Sequence, residues 1–187
     1  MIYLVRHGQT DWNAVHKIQG HFDIPLNQAG REEALICGQK IQTLKPDKII
    51  SSDLTRAKET AEIINQFFHL PISLDARLRE VNYGDLEGIL TKDVQEATWE
   101  TFYNDPHALK AEALEDVYKR VKSFFDDINP AENTLLITHG GVIRMIMYLV
   151  QQRPVFSCAE CRKIFLSAKV KNTDVFQWDF QNPLRII

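Results

Sequence analysis

Two short stretches put an imidazole beside glycine at the point where an apolar run stops. Near the N-terminus, "IYLV" runs into Arg6, His7 and Gly8, and far downstream "TLLIT" runs into His139, Gly140 and Gly141. A third run, "DKIIS", feeds a segment that carries Arg56 in its first turn. Each residue type has its own chemistry. A guanidinium is a permanent cation whose planar fork matches an oxyanion, and an imidazole can attack, accept a proton or donate one near neutral pH. A glycine pair opening a helix leaves free N–H groups at its positive end. A lone histidine beside an arginine is most simply an ordinary hydrogen-bonded residue. Cations gathered in one place, however, repel one another unless something negative binds among them. The ligand that fits is a small multivalent oxyanion, and phosphate is the obvious one.

That reading requires the three strand ends to meet. Short apolar runs alternate with helical patterns: "IYLV", an amphipathic stretch from about Asn27 to Leu44, "DKIIS", and a second helix from about Asp53 to Phe68, with Asn27 and Asp53 as expected N-caps. Further on, Val117, Val121, Phe124, Phe125 and Ile128 recur at helical spacing, and "NTLLITHGGVIRMIMYL" reads as strand, turn and helix. The tail segments "KIFLSAKV" and "DVFQWDF" read as two strands joined by Lys171, Asn172 and Thr173, an antiparallel hairpin at one edge. The expected fold class is α/β: a three-layer sandwich, with a mostly parallel central sheet, helices on both faces and an antiparallel edge strand. In such a sheet the C-terminal strand ends share one edge, where doubly wound folds take their ligands. Gly8 is expected to supply a turn that brings Arg6 and His7 to that edge together.

With 187 residues, 44% of them hydrophobic and 25% charged, the chain fits one domain over residues 1–187. A net charge of -3 and the absence of a long basic run argue against nucleic acid and anionic membrane as partners. The most apolar run, "VIRMIMYLV", is too short to span a bilayer, and only four apolar residues precede Arg6, too few for a signal-peptide core. A cytoplasmic location is expected. Cys37 reads as a small core residue, and Cys158 and Cys161, a single C-x-x-C pair, read as structural thiols with metal or redox use the lesser alternative.

The stretches "LVRHGQTDWN", "KIQGHFDIPLNQAG", "SSDLTRAKETAEII", "LREVNYGDLEG" and "THGGVIR" together resemble the histidine phosphatase superfamily, the phosphoglycerate mutase-like family, in order and spacing over most of the chain. The resemblance implies that His7 is the nucleophile that becomes phosphorylated. It implies that Arg6, Arg56 and His139 hold the phosphoryl oxygens, and that Glu80 is the proton donor. It further implies that Asn13 and the Gly140 amide contact phosphate, that Gln19 and Gly20 lie near the substrate entrance, and that a small cap segment spans about 81–112. No cofactor or metal is expected, because guanidinium forks and imidazole donors can hold the charge of a phosphoryl group in flight. Read without the resemblance, Glu80 would be a surface partner of Arg77 or Arg79.

The expected activity is hydrolysis of a small soluble phosphate monoester through phosphohistidine. Small bacterial relatives of this kind include α-ribazole phosphatase and broad-specificity phosphatases. The alternatives are a cofactor-dependent phosphoglycerate mutase, disfavoured because the segment between Glu80 and Glu112 lacks a long insertion, a phosphoprotein phosphatase, and a non-catalytic phosphate-binding module. Other residues carry weaker signals. His16 and His21 read as loop residues, Asp85 and Glu87 as solvated. Trp99, Phe102, Tyr103 and His107 read as cap or as simple packing. Two departures from the family pattern stand out: Ala111-Glu112-Ala113 replaces Gly-Glu-Ser before the late helix, and Lys17 replaces an arginine fork with a point charge.

Overall fold

Six strands form one sheet in the order β3-β2-β4-β1-β5-β6 in a computed structural model that describes residues 1–151 and 156–187. In chain order the elements are β1 (Ile2–Arg6), a single helical turn α1 (Asp11–Ala14), α2 (Gln28–Ile41), β2 (Lys48–Ser51), α3 (Thr55–Ile64), β3 (Ile72–Leu74), α4 (Glu96–Asn104), α5 (Leu114–Asp126), β4 (Thr134–Thr138), α6 (Gly140–Leu149), α7 (Cys158–Ser167), β5 (Val175–Trp178) and β6 (Arg185–Ile186). β1, β4, β2 and β3 are parallel, with Leu4 opposite Leu136 and Ile50 opposite Leu136 on the other side. β5 runs antiparallel to β1, and β6 antiparallel to β5.

Alternation along the strands sorts the core into two layers. Val5, Ile49, Leu135 and Ile137 pack with Cys37, Ile41, Ala57, Ala61 and Ile64, so α2 and α3 cover one face. Ile2, Leu4, Leu136 and Phe176 pack with the stripe of α5, the underside of α6 and Cys161 of α7 on the other. That stripe, Leu114, Val117, Val121 and Phe124, is buried as its spacing predicts, each such side chain contributing about 1.5–3 kcal/mol of burial. The three-layer α/β architecture expected from the alternating runs is what forms.

Three local expectations are corrected. Asn27 caps α2, accepting from Gly30 N, but Asp53 does not cap α3. The helix starts at Thr55 after Leu54, Asp53 pairs with Arg79, and the capping is done from elsewhere by Asp23, which accepts from both Thr55 N at 2.7 Å and Thr55 Oγ1 at 2.6 Å. The tail hairpin does not exist as drawn, because most of "KIFLSAKV" lies in α7, which Ser157 caps by accepting from Glu160 N. "DVFQWDF" does supply an antiparallel strand, β5, but its neighbours are β1 and the short outer strand β6. Gly8 acts through close approach and not through an unusual turn. A Cβ there would lie 2.3 Å from Gly30 O, and one on Gly30 would lie 2.0 Å from Gln9 O, so two glycines let the loop after β1 rest on the first turn of α2.

Candidate active site

The C-terminal ends of β1, β2 and β4 converge on a cavity of about 520 Å³ lined by Arg6, His7, Asn13, Gln19, Gly20, Arg56, Glu80 and Gly140. His139 caps the end of β4 just behind, its ring centroid 5.1 Å from that of His7. All nine site residues named from sequence are therefore brought to one place, by the ends of the four parallel strands and the segments that follow them, Glu80 coming from the segment after β3.

The hydrogen bonds at this edge fix what each group can do. His7 Nδ1 lies 2.7 Å from the Gly8 carbonyl oxygen; a carbonyl only accepts, so Nδ1 holds the proton and Nε2 keeps its lone pair. Burial, then the charges of Arg56 and Arg6, drive the His7 pKa well below the usual imidazole range. His139 is shifted the same way, first by burial and then by Arg56. Both rings are neutral at physiological pH.

The guanidiniums are anchored by their outer nitrogens. Arg56 donates from Nη1 to Phe22 O at 2.9 Å and from Nη2 to Gly20 O at 2.7 Å, and Arg6 donates from Nη1 to Val170 O at 2.7 Å. Burial lowers the Arg56 pKa to about 10, leaving it charged at neutral pH. Arg6 Nε, Arg56 Nε and His139 Nδ1 are buried without a hydrogen-bond partner in the protein, and among the described residues only Thr134 Oγ1, at the far end of β4, shares that condition. Buried donors rarely go unpaired. Three at one spot, two of them cationic, form a set of donors whose charge suits an anion.

Glu80 faces the same point. Its Oε2 accepts from Gly141 N at 3.1 Å and its Oε1 from Val81 N at 2.9 Å, placing a carboxyl at the N-terminal end of α6. Arg77 and Arg79 take other partners, Asp75 with Asp127, and Asp53, so the surface-pair alternative for Glu80 fails. Gly141 makes the seat possible, since a Cβ there would lie 2.3 Å from Glu80 Oε1. Asn13 accepts from Thr10 N at 3.1 Å through Oδ1, turning its amide nitrogen the other way, and Gln19 accepts from Thr10 Oγ1 at 3.0 Å.

Several residues that sequence reasoning passed over belong here. Ser52 is buried, its hydroxyl 2.8 Å from His139 Nε2 while it accepts from Leu54 N. If Nε2 takes the hydroxyl proton, Nδ1 bears one toward the cavity. Glu87 is not solvated: it accepts from the backbone N–H of His21, Phe22 and Tyr83 and so fastens the Gly20 loop. Asp85 is exposed, as expected, and pairs with Lys110. His21 donates toward Glu80 O at 2.8 Å, so it is a loop residue that also braces the Glu80 segment, whereas His16 is exposed with φ 57°. Tyr83 and Arg144 also line the cavity. Arg144 was legible in principle, four residues after Gly140 and thus on the same helical face.

The outer wall comes from the segment between Glu80 and Glu112. Trp99 and Tyr103 of α4 line it together with Glu96, Thr91 and Lys17, and α7 adds Arg162, Phe165 and Leu166. Phe102 is core, stacked on Tyr83 with ring centroids 5.2 Å apart, and His107 is exposed away from the cavity. Lys17 stands 5.0 Å over the Trp12 ring. Glu112 is committed to Arg120, whose guanidinium also donates to the carbonyls of Arg77, Arg79 and Glu80. With Ala113 in place of a hydroxyl, α5 starts without a side-chain cap. Cys37 and Cys161 are buried, Cys158 is exposed, and all three are free thiols.

An α/β sheet whose parallel strand ends carry two imidazoles, two anchored guanidiniums and a carboxyl defines a class of phosphoryl-handling proteins. Residues 2–162 match the family described as the histidine phosphatase superfamily (branch 1), and the chain belongs to it. It is 38% identical over 149 residues to the uncharacterized phosphatase PhoE of Bacillus subtilis, covering 78% of this chain and 75% of that protein. It is 33% identical to the probable phosphoglycerate mutase GpmB of Citrobacter koseri, over 98% of this chain and 86% of that one. Among solved structures, TTHB049 from Thermus thermophilus superposes with a TM-score of 0.77 at 26% identity over 98% of this chain and 96% of that one. The mycobacterial glucosyl-3-phosphoglycerate phosphatase Rv2419c, complexed with VO3, superposes with a TM-score of 0.80 at 25% identity over 99% and 96%.

Proposed function

We propose that the chain is a phosphomonoester hydrolase that works through a covalent phosphohistidine on His7, without a metal, on a small soluble phosphate ester. One observation carries the reading: the Gly8 carbonyl holds the proton of His7 on Nδ1, leaving Nε2 as a bare nucleophile among buried donors that have no protein partner.

In the first half-reaction Nε2 attacks phosphorus and the P–O bond to the alcohol breaks. Arg6, Arg56, His139, the Asn13 amide and the Gly140 N–H hold the equatorial oxygens, while the leaving oxygen takes a proton from Glu80. In the second, the Glu80 carboxylate takes a proton from water as that water attacks phospho-His7, and inorganic phosphate leaves. The guanidinium forks supply the positive charge that a metal would otherwise bring. Gln19 and Gly20 stand at the mouth through which the ester enters. Hydrolysis is favoured over mutase chemistry because the cap consists of one nine-residue helix and short turns, a thin cover against water. No described helix is long and apolar enough to cross a membrane. Three free thiols suit a reducing compartment, and a cytoplasmic setting is part of the proposal.

Hydrolysis of 4-nitrophenyl phosphate with Glu80→Gln tests the scheme. Phenolate leaves without a proton, so the variant should release a burst of nitrophenol, turn over slowly and accumulate phosphate on His7. EDTA should leave the wild-type rate unchanged, and His7→Ala should give neither burst nor turnover. Turnover by His7→Ala near the wild-type rate, or loss with EDTA that a divalent metal restores, refutes the mechanism.

A further inference from the structure

Four consecutive carbonyls, those of Arg77, Leu78, Arg79 and Glu80, are each held by a side chain reaching in from elsewhere in the chain. The stretch follows β3 as a single turn, Ala76–Leu78, and then irregular chain up to Glu80. No strand ladder fixes it, so its backbone oxygens need other partners. Thr138 Oγ1 donates to Leu78 O at 2.8 Å, and His21 donates to Glu80 O. The remaining bonds come from Arg120 of α5. Its Nη1 donates to Arg77 O at 2.6 Å and to Arg79 O at 2.8 Å, and its Nη2 to Glu80 O at 3.1 Å. Nε and the second Nη2 proton go to Glu112, at 2.7 Å to Oε1 and 3.1 Å to Oε2. A guanidinium has five N–H donors, and all five are engaged.

Glu112 also closes the neck of the segment that forms the outer wall of the cavity. Its N–H donates to Asn82 O at 2.8 Å, and its Oε2 accepts from Asn82 N at 3.3 Å, so residues 82 and 112 are joined where that segment leaves and rejoins the body. The clamp is rooted in α5, whose Val117, Val121 and Phe124 are buried in the core. The Arg120 and Glu112 side chains are each only 18% exposed. At that depth desolvation offsets much of the attraction between the charges, and an ion pair is a weak source of stability. What this one supplies is direction: three of its bonds fall on the backbone that carries Glu80. Arg120 does not line the cavity, so any effect it has on the reaction passes through Glu80.

We propose that Arg120, oriented by Glu112, is a positioning residue for proton transfer: it holds residues 77–80 so that the Glu80 carboxyl stays in reach of the leaving oxygen. This rests on the reading of Glu80 as the proton donor, and the experiment keeps the two apart. Ethyl phosphate needs a proton on its leaving oxygen and 4-nitrophenyl phosphate does not, so the ratio of their kcat/KM values reports on the acid. The ratio is internal to each preparation, and a loss of folded protein cancels from it. Arg120→Gln should lower the ratio of ethyl to nitrophenyl ester by about 10- to 100-fold, the scale of a misplaced catalytic group. Arg120→Lys keeps the charge beside Glu112 but not the planar fork. It should lower the ratio by less, and it decides the matter alone should Arg120→Gln not fold. In a Glu80→Gln background, Arg120→Gln should leave the ratio where Glu80→Gln put it, because residues acting through one group do not add. A ratio that falls for Glu80→Gln but stays at the wild-type value in both Arg120 variants overturns the positioning role alone. A ratio that Glu80→Gln itself leaves unmoved overturns the acid reading, and the positioning role with it.

Discussion

The smallest unit of this site is a choice of tautomer. His7 is committed by one carbonyl, and His139 by a hydroxyl that can serve either way. Ser52 can donate to Nε2 of a neutral His139, or rotate and accept from it once an arriving dianion draws a second proton onto the ring. Alanine at 52 removes both options. Ser52→Ala should lower kcat/KM roughly tenfold, and 15N spectra of His139 should show the proton moved to Nε2. Unchanged tautomer signals and an unchanged pH profile would reduce Ser52 to packing. Arg6, His7 and His139 could be picked out because charge and imidazole at the end of an apolar strand contradict burial, and the contradiction is local. Ser52 and Glu87 gave no such signal: a serine before a helix and a glutamate beside a turn are ordinary, and what makes them matter is a partner 87 and 66 positions away.

At the level of elements, the β4–α6 junction does the most with the least. Gly141 gives Glu80 both an N–H and the space to reach it. Gly141→Ala should push the carboxyl off its seat and slow alkyl phosphates about a hundredfold while slowing nitrophenyl phosphate much less, whereas Gly140→Ala, whose Cβ meets nothing nearer than 3.3 Å, should be milder on that comparison. Equal slowing of both esters by Gly141→Ala would mean that the glycine serves the fold and not the acid. The element that sequence misjudged, α7, shows the limit of pattern reading. "KIFLSAKV" is too short for its apolar spacing to separate period 2 from period 3.6, and the deciding signal, Ser157 accepting from Glu160, lies upstream of it. α3 misled in another way, since its first turn is capped by Asp23 from a distant loop and not by the acid that precedes it.

For the molecule as a whole, two imidazoles are buried neutral in the fold and free to titrate once it opens. Above about pH 6.5 neither state protonates them and their contribution is fully present. As pH falls below that value the unfolded chain binds protons that the folded chain refuses, because the folded pKa values of His7 and His139 are depressed. Stability is then lost at up to about 1.4 kcal/mol per pH unit for each ring. Thermal melting between about pH 6.5 and 5 should therefore decline, and His7→Gln with His139→Gln should flatten the decline. A double variant with the wild-type slope would place the pH sensitivity elsewhere. The three-layer order was readable because alternation and strand-end chemistry agreed. The position of β5 inside β6 was not, since nothing in four residues says which neighbour they will have.

One division in the structure bears on how such a protein can change over generations. Among the described residues, every hydrogen bond made by the side chains of His7, Arg6, Arg56, His139 and Glu80 goes to Gly8, Val170, Gly20, Phe22, Ser52, Val81 or Gly141. None goes to residues 90–110, although Thr91, Glu96, Trp99 and Tyr103 of that stretch line the cavity. Drift, insertion or exchange in that stretch can thus reshape the outer wall of the cavity while the imidazoles, guanidiniums and carboxyl at its floor stay in register. Descendants of one ancestor can diverge in diet while inheriting a single reaction.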